Sequence, residues 1–323
     1  MPPPGPLASE VSLRFAALDG VELGGVMFLP AAGASATRAV VINGGGGIPA
    51  THYARFARYL AEHGVAVLTY DYRGIGRSRP ARMRGFKAVL EDWAECDCGG
   101  AIAELRRRFP NAETTGVGHS VGAMLFGGAP NAAQLQQFLF VGAHTGYVGD
   151  YRRGYRLPMA ILWHGVMPLV TRVVGFFPGR ILHLGDDIPH GVALQWARRR
   201  AGSFGLGQGV AAGTRAERLV AGMGALAGPA LVISVSDDAF ATAAGTRRLL
   251  ALFPRLSPTY LQVYPDDVGQ ARIGHFGFFR QTCAAFWPRV LAYILHTPSH
   301  AGSREGQCRP PGRGMAFADG PLS

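Results

Sequence analysis

Lysine is nearly missing from this 323-residue chain. Lys87 is the only one among 32 basic side chains, and the rest are arginine. Against 21 acidic residues this gives a formal net charge of +11 and a sequence pI of about 10.1. The arginines are scattered rather than clustered. Two runs, Arg106–Arg108 and Arg198–Arg200, end predicted helices, where cations answer the helix dipole. They are expected to be caps, and no nucleic-acid partner is expected. Cysteine is also scarce. Cys96, Cys98, Cys283 and Cys308 form no zinc-type spacing with histidine, so no metal is expected and a reduced, cytoplasmic setting is the default. Residues Met1 to Pro6 have neither a basic start nor an apolar run, so no secretory signal is read there. The longest apolar stretch, Leu157–Gly175, contains Pro158, His164, Pro168 and Arg172 and is short for a membrane span. It reads as a buried or lid helix pair. Stable membrane insertion is not expected, and interfacial contact stays open.

What is present is a core. Hydrophobic residues make up 48% of the chain, enough for one large domain with an insertion. Val11–Ala17 and Val21–Leu29 flank Asp19-Gly20, a hairpin signal. Buried-type strands follow at Arg38–Asn43, Val65–Tyr70, Thr114–Val117, Gln137–Gly142, Ala230–Val235 and Tyr260–Val263. Helical spacing covers Tyr53–His63, Phe86–Phe109 and Phe278–Leu295. The alternation predicts an α/β fold: a mostly parallel, doubly wound sheet with an N-terminal antiparallel hairpin. Residues 149–228 interrupt it with helical pattern and are expected to form a cap between two core parts, 1–148 and 229–298. The Gly-, Pro- and Ser-rich tail, 299–323, is expected to be disordered.

The strongest local signal is Gly118-His119-Ser120-Val121-Gly122. A G-x-S-x-G run between a strand and a helix is a sharp turn that lifts a serine hydroxyl above the sheet edge. It also presents the N–H of Val121 to a substrate carbonyl. A serine needs a base. His275, just after the last strand, can reach back over that edge, and His144 is its best rival. The base in turn needs an anion to hold its tautomer. Asp238 is preferred over its neighbour Asp237, at the end of the penultimate strand. The run Asn43-Gly44-Gly45-Gly46-Gly47 follows the first parallel strand, and Gly45 or Gly46 would supply a second N–H for an oxyanion. The glycines are not followed by the Lys-Ser/Thr of a phosphate loop, and the dinucleotide fingerprint is absent, so no organic cofactor is expected.

These motifs fall in one order: the glycine loop, then Asp71-Tyr72-Arg73-Gly74-Ile75-Gly76-Arg77-Ser78, then Gly118–Gly122, Asp238 and His275. In that order the chain, from about Val11 to Leu295, resembles the α/β-hydrolase superfamily. Within it, the runs DYRGIGRSRP, FFPGR, DDIPHGVALQWARR and RIGHFGFFR are similar to a poorly characterised group of predicted bacterial serine hydrolases. That group is distantly akin to monoglyceride lipases and serine aminopeptidases. The resemblance implies a Ser120–His275–Asp238 triad that cleaves a small-molecule carboxylic ester or thioester through an acyl-serine. It also implies that Asp71 and Arg73 belong to a structural turn. Two departures stand out: Asn43-Gly44 replaces a frequent His-Gly, and Ala239 replaces a frequent proline. An acyltransferase using the same acyl-enzyme, or a non-catalytic binding protein on the same scaffold, are the alternatives. Trp163, Met167, Phe176 and Phe177 in the cap point to an apolar acyl group. The oligomeric state is not readable.

Overall fold

The computed structural model describes residues 8–31, 36–200 and 213–296. The tail expected to be disordered lies outside them. Along the chain run β1 (Ser9–Ala16), β2 (Glu22–Leu29), β3 (Arg38–Asn43), α1 (Ala54–Glu62), β4 (Val65–Tyr70), α2 (Gly99–Arg108), β5 (Glu113–His119), α3 (Gly122–Leu125) and β6 (Gln137–Val141). The inserted region carries α4 (Arg153–Ile161), α5 (Met167–Val174), the two-residue strands β7 (Phe176–Phe177) and β8 (Ile188–Pro189), α6 (His190–Ala197) and α7 (Arg215–Ala225). The core resumes with β9 (Ala227–Val235), α8 (Ala243–Leu250), β10 (Arg255–Val263), α9 (Gly274–Gly277) and α10 (Trp287–Leu295).

One sheet holds eight strands in the order β1-β2-β4-β3-β5-β6-β9-β10. The hairpin is antiparallel, β2 joins β4 antiparallel, and every later pairing is parallel. Strand side chains alternate between faces. In β3, Val40 and Ile42 pack with Phe56 and Leu60 of α1 and Val290 and Ile294 of α10. Ala39 and Val41 join the opposite cluster, with Ile102 and Leu105 of α2 and Met124 of α3. Burial on both faces is why these strands read as unbroken apolar runs. Parallel strands bring all their carboxyl ends to one edge. The loops after β3, β5, β6, β9 and β10 therefore gather there, the usual ligand edge of such a sheet.

Four expectations change. The helix expected from Phe86 begins at Leu90 and passes through wide π-helical turns, Asp92–Cys98, before α2. Gly85 turns left-handed (φ 87°), and the Asp92 carboxylate accepts the N–H of Val89 at 2.9 Å, capping a later start. The last helix, expected from Phe278, instead starts as a tight 3-10 stretch, Gln281–Phe286, that runs into α10, whose start Pro288 favours. The apolar stretch read as a buried helix pair is one continuous helix, Arg153–Val174, with π turns at Leu162–Val166 between Pro158 and Pro168. By length and composition it is long and apolar enough to cross a membrane, its apolar 18-residue window having a mean hydropathy of 1.4, yet only 11% of that window is buried. Finally, α7, inside the region expected to be cap, lies on the core: Leu219 and Met223 are buried against Gly127 and Gly128.

Candidate active site

Ser120 sits one residue beyond β5 in the left-handed region, at φ 55°. A non-glycine residue there costs about 1–2 kcal/mol, so the surroundings must enforce it. They do. A side chain at Gly118 would overlap the backbone of Ala123, and one at Gly122 would overlap the carbonyl of Asn43. Glycine at both places lets the strand and α3 pass closely enough to hold the turn. The Ser120 N–H donates to Val141 O (3.1 Å), which pins the tip to β6.

Two imidazoles face the Ser120 hydroxyl. His275 Nε2 is 3.1 Å from Oγ and His144 Nε2 is 3.3 Å away. Their far sides differ. His275 Nδ1 is 2.7 Å from Asp238 Oδ2, and a carboxylate only accepts, so Nδ1 carries the proton and Nε2 is the bare acceptor for the serine hydroxyl. His144 Nδ1 accepts the N–H of Gly146 at 2.9 Å, so its Nε2 carries the proton and donates to Oγ. Burial, reinforced by His275, pushes His144 down to about 3, so it is neutral. Burial would raise the Asp238 carboxyl, but His275 and the N–H groups of Ala241 and Phe240 outweigh it and bring it to about 2. Asp237 is turned elsewhere: its carboxylate accepts the N–H groups of Ile273 (3.0 Å) and Gly274 (2.9 Å) and so anchors the loop that carries His275. Phe240 and Phe276 meet the His275 ring edge to face and wall it from water.

The oxyanion side shows a correction. Gly45 is not a free donor, because its N–H is given to the Tyr53 hydroxyl at 2.8 Å. Tyr53 in turn contacts His119 Nδ1 (2.8 Å), and His119 Nε2 donates to the carbonyl of His275 (3.1 Å). His119 thus points away from the nucleophile and ties the glycine loop to the histidine loop. Among the described residues, the N–H groups of Val121 and Gly46 donate to no acceptor, and Gly46 lies beside the Val121 side chain. Asn43 is fully buried as a brace: its amide donates to Gly122 O (3.2 Å) and it accepts from the Tyr70 hydroxyl (2.6 Å). Nothing in the sequence marks Tyr53 or Asn43 for these tasks, because each is defined by a partner far along the chain.

The DYRGIGRS run is structural scaffolding. Asp71 accepts the N–H groups of Ala50 (2.6 Å) and Arg77 (2.9 Å), and buried Arg73 is matched by Asp97 and Asp19. The helix-ending arginines behave unevenly. Arg107 and Arg108 pair with Glu104 rather than capping carbonyls, and Arg200 donates to Ala197 O. Arg199 turns inward and is buried. Of the cap residues, Met167 and Phe177 belong to the core, while Trp163 packs edge to face on Trp196, whose ring covers Gly46. Among the described residues, no three metal-ligating side chains converge.

Residues 34–152, less than half of the chain, match the family model of the serine aminopeptidases, S33. That stretch contains Ser120 and ends before Asp238 and His275. No curated protein sequence matches the chain. Solved structures share its fold at low identity. They include an esterase of Pyrococcus furiosus at 12% identity and TM-score 0.53, covering 89% of this chain and 92% of the other. DcsB, in complex with its substrate analogue, has 13% identity and TM-score 0.59, with coverages of 89% and 98%. The dienelactone hydrolase from Anabaena variabilis has 14% identity and TM-score 0.53, with coverages of 90% and 99%.

Proposed function

We propose that the chain is a serine hydrolase of the α/β-hydrolase superfamily, cleaving a carboxylic ester or thioester through an acyl-serine intermediate; a fold shared with solved esterases and hydrolases and the family match over residues 34–152 support this. One observation carries this reading: the Ser120 hydroxyl lies within hydrogen-bond reach of an imidazole whose other nitrogen is fixed by a buried, ionised carboxylate. Ser120 Oγ attacks the substrate carbonyl as its proton passes to His275 Nε2, and Asp238 stabilises the imidazolium. The N–H groups of Val121 and Gly46 hold the oxyanion. His275 then protonates the leaving alkoxide or thiolate. Water enters, His275 takes its proton as the oxygen attacks the acyl-serine, and His275 returns that proton to the departing Ser120 Oγ as the acid leaves. His144 keeps its proton throughout and serves as a second donor to Oγ, which steadies that oxygen when it leaves in deacylation.

The test is intact-mass analysis after reaction with a fluorophosphonate. The wild type should gain one adduct and Ser120→Ala none, and the wild type should then turn over an ester and thioester panel. A wild type that gains no adduct would sink the reading and bring the binding-protein alternative forward.

A further inference from the structure

Arg199 is the one buried arginine that meets no carboxylate among the described residues; its guanidinium face rests on the Trp196 ring instead. Its side chain is 1% exposed. Only Nη1 is used, donating to Thr145 O at 2.7 Å; Nε and Nη2 are buried without a hydrogen-bond partner. The contrast is Arg73, equally deep, which two carboxylates neutralise. Two acids that share the surroundings of Tyr151 with Arg199 are engaged elsewhere: Asp150 with Arg248, Asp238 with His275. A buried cation with no carboxylate costs several kcal/mol, which one carbonyl and one aromatic face offset only in part, and a fold retains such a cost where something else balances it.

The position says what that is. Arg199 packs so closely on the loop after β6 that a side chain at Gly146 would collide with its Nη1. Gly146 is the residue whose N–H fixes His144, and His144 faces Ser120 Oγ. On its other side the guanidinium lies 3.9 Å from the centre of the Trp196 ring, which rests on Gly46. Arg199 therefore stands in the wall between the nucleophile and the cap. Two further donors beside it, Thr145 Oγ1 and Trp196 Nε1, are also buried and without partners. The unused Nε–Nη2 edge is the side of a guanidinium that binds a planar carboxylate through two parallel N–H bonds.

We propose that Arg199 receives a carboxylate of the substrate, so that the ester or thioester cleaved at Ser120 bears a free carboxylate a few bonds from its scissile carbonyl. This rests on the serine-hydrolase reading and narrows its substrate class. It also replaces the apolar acyl group expected from Trp163, Met167, Phe176 and Phe177, two of which, Met167 and Phe177, are core. Bound, the carboxylate neutralises Arg199 and orders the wall beside His144. Unbound, Arg199 repels cationic and disfavours neutral acyl groups, which gain nothing from displacing its surroundings.

Matched esters test it: p-nitrophenyl hemisuccinate against p-nitrophenyl butyrate for the acyl side, and 4-carboxyphenyl butyrate against phenyl butyrate for the alcohol side. The wild type should favour one charged ester over its neutral mate by about a hundredfold or more in kcat/KM. Arg199→Met should bring that ratio towards one while still accepting a fluorophosphonate adduct. A second measurement needs neither turnover nor the Arg199 variant. Succinate or glutarate should raise the melting temperature of Ser120→Ala, and butyrate should not. Inorganic phosphate stabilising as well as the dicarboxylates would overturn the carboxylate in favour of a phosphate-bearing substrate. A labelled enzyme that shows no charged-ester preference and no dicarboxylate shift would overturn the subsite alone. An unlabelled enzyme that dicarboxylates still stabilise would overturn the serine chemistry and leave the subsite standing.

Discussion

His275 and His144 stand almost equally far from one hydroxyl, yet only His275 can take its proton. The difference lies in what each ring binds behind it, a carboxylate for His275 and a backbone N–H for His144. His275→Gln should therefore lower kcat/KM by roughly 10⁴-fold. His144→Gln, which keeps a donor near Oγ, should cost about tenfold or less. Steady-state kinetics on one activated ester separates the two. Equal losses would mean that His144 shares the base role and that its tautomer is misassigned. From sequence, these histidines differed only in which strand each follows, and Asp237 and Asp238 only by one place along a loop. Arg199 was hidden for a related reason. Three arginines at a helix end look alike to a rule about dipoles, and only the packing of Gly146 and Trp196 shows which one goes inside.

At the level of elements, the turn that carries Ser120 depends on contacts that admit no extra atom. Gly122→Ala would place a methyl against the carbonyl of Asn43 in β3, a strand paired on both sides and unable to move. We expect a loss of at least about 3 kcal/mol in urea unfolding, together with loss of fluorophosphonate labelling. A variant of wild-type stability would show that the turn tolerates a wider approach. The helix Arg153–Val174 gives the opposite expectation. Leu157 is 70% exposed and Leu169 is 65% exposed. Replacing both with Gln should change stability by no more than about 0.5 kcal/mol each. A penalty of several kcal/mol would put that face inside an interface. The core strands were legible because each is buried on both faces and reads as an unbroken apolar run. Boundaries set by one side chain were not. The start at Leu90 depends on Asp92 capping Val89 and on Gln195, from the distant α6, accepting the Leu90 N–H at 2.6 Å. The apolar helix stayed open between a buried and a lid reading because composition does not say which side meets water.

For the molecule as a whole, holding neutral histidines inside makes the fold sensitive to acid. An unfolded histidine titrates near 6.5, whereas native His144 stays uncharged down to about 3. Between those values the unfolded chain binds a proton that the native chain refuses, so stability falls as the pH drops below 6.5. The fall is about 1.4 kcal/mol per pH unit for each such group. His119, held well below its usual value by burial and by His275, pulls the same way. Asp238 adds to the loss only between about 4 and 2, as its lowered carboxyl is finally protonated. Other acids titrate in the same range, so the contribution of His144 is best read as a difference. Around it stand His275, Asp238 and Arg199, the titratable and charged groups that set its environment. In His144→Gln those neighbours remain and the refused proton is gone. Measured by urea unfolding, the variant should gain on the wild type by about 2 kcal/mol between pH 7 and pH 5. A constant gap between the two would mean that His144 titrates in the fold as it does in water, and its fixed N–H donation to Ser120 would then have to be given up.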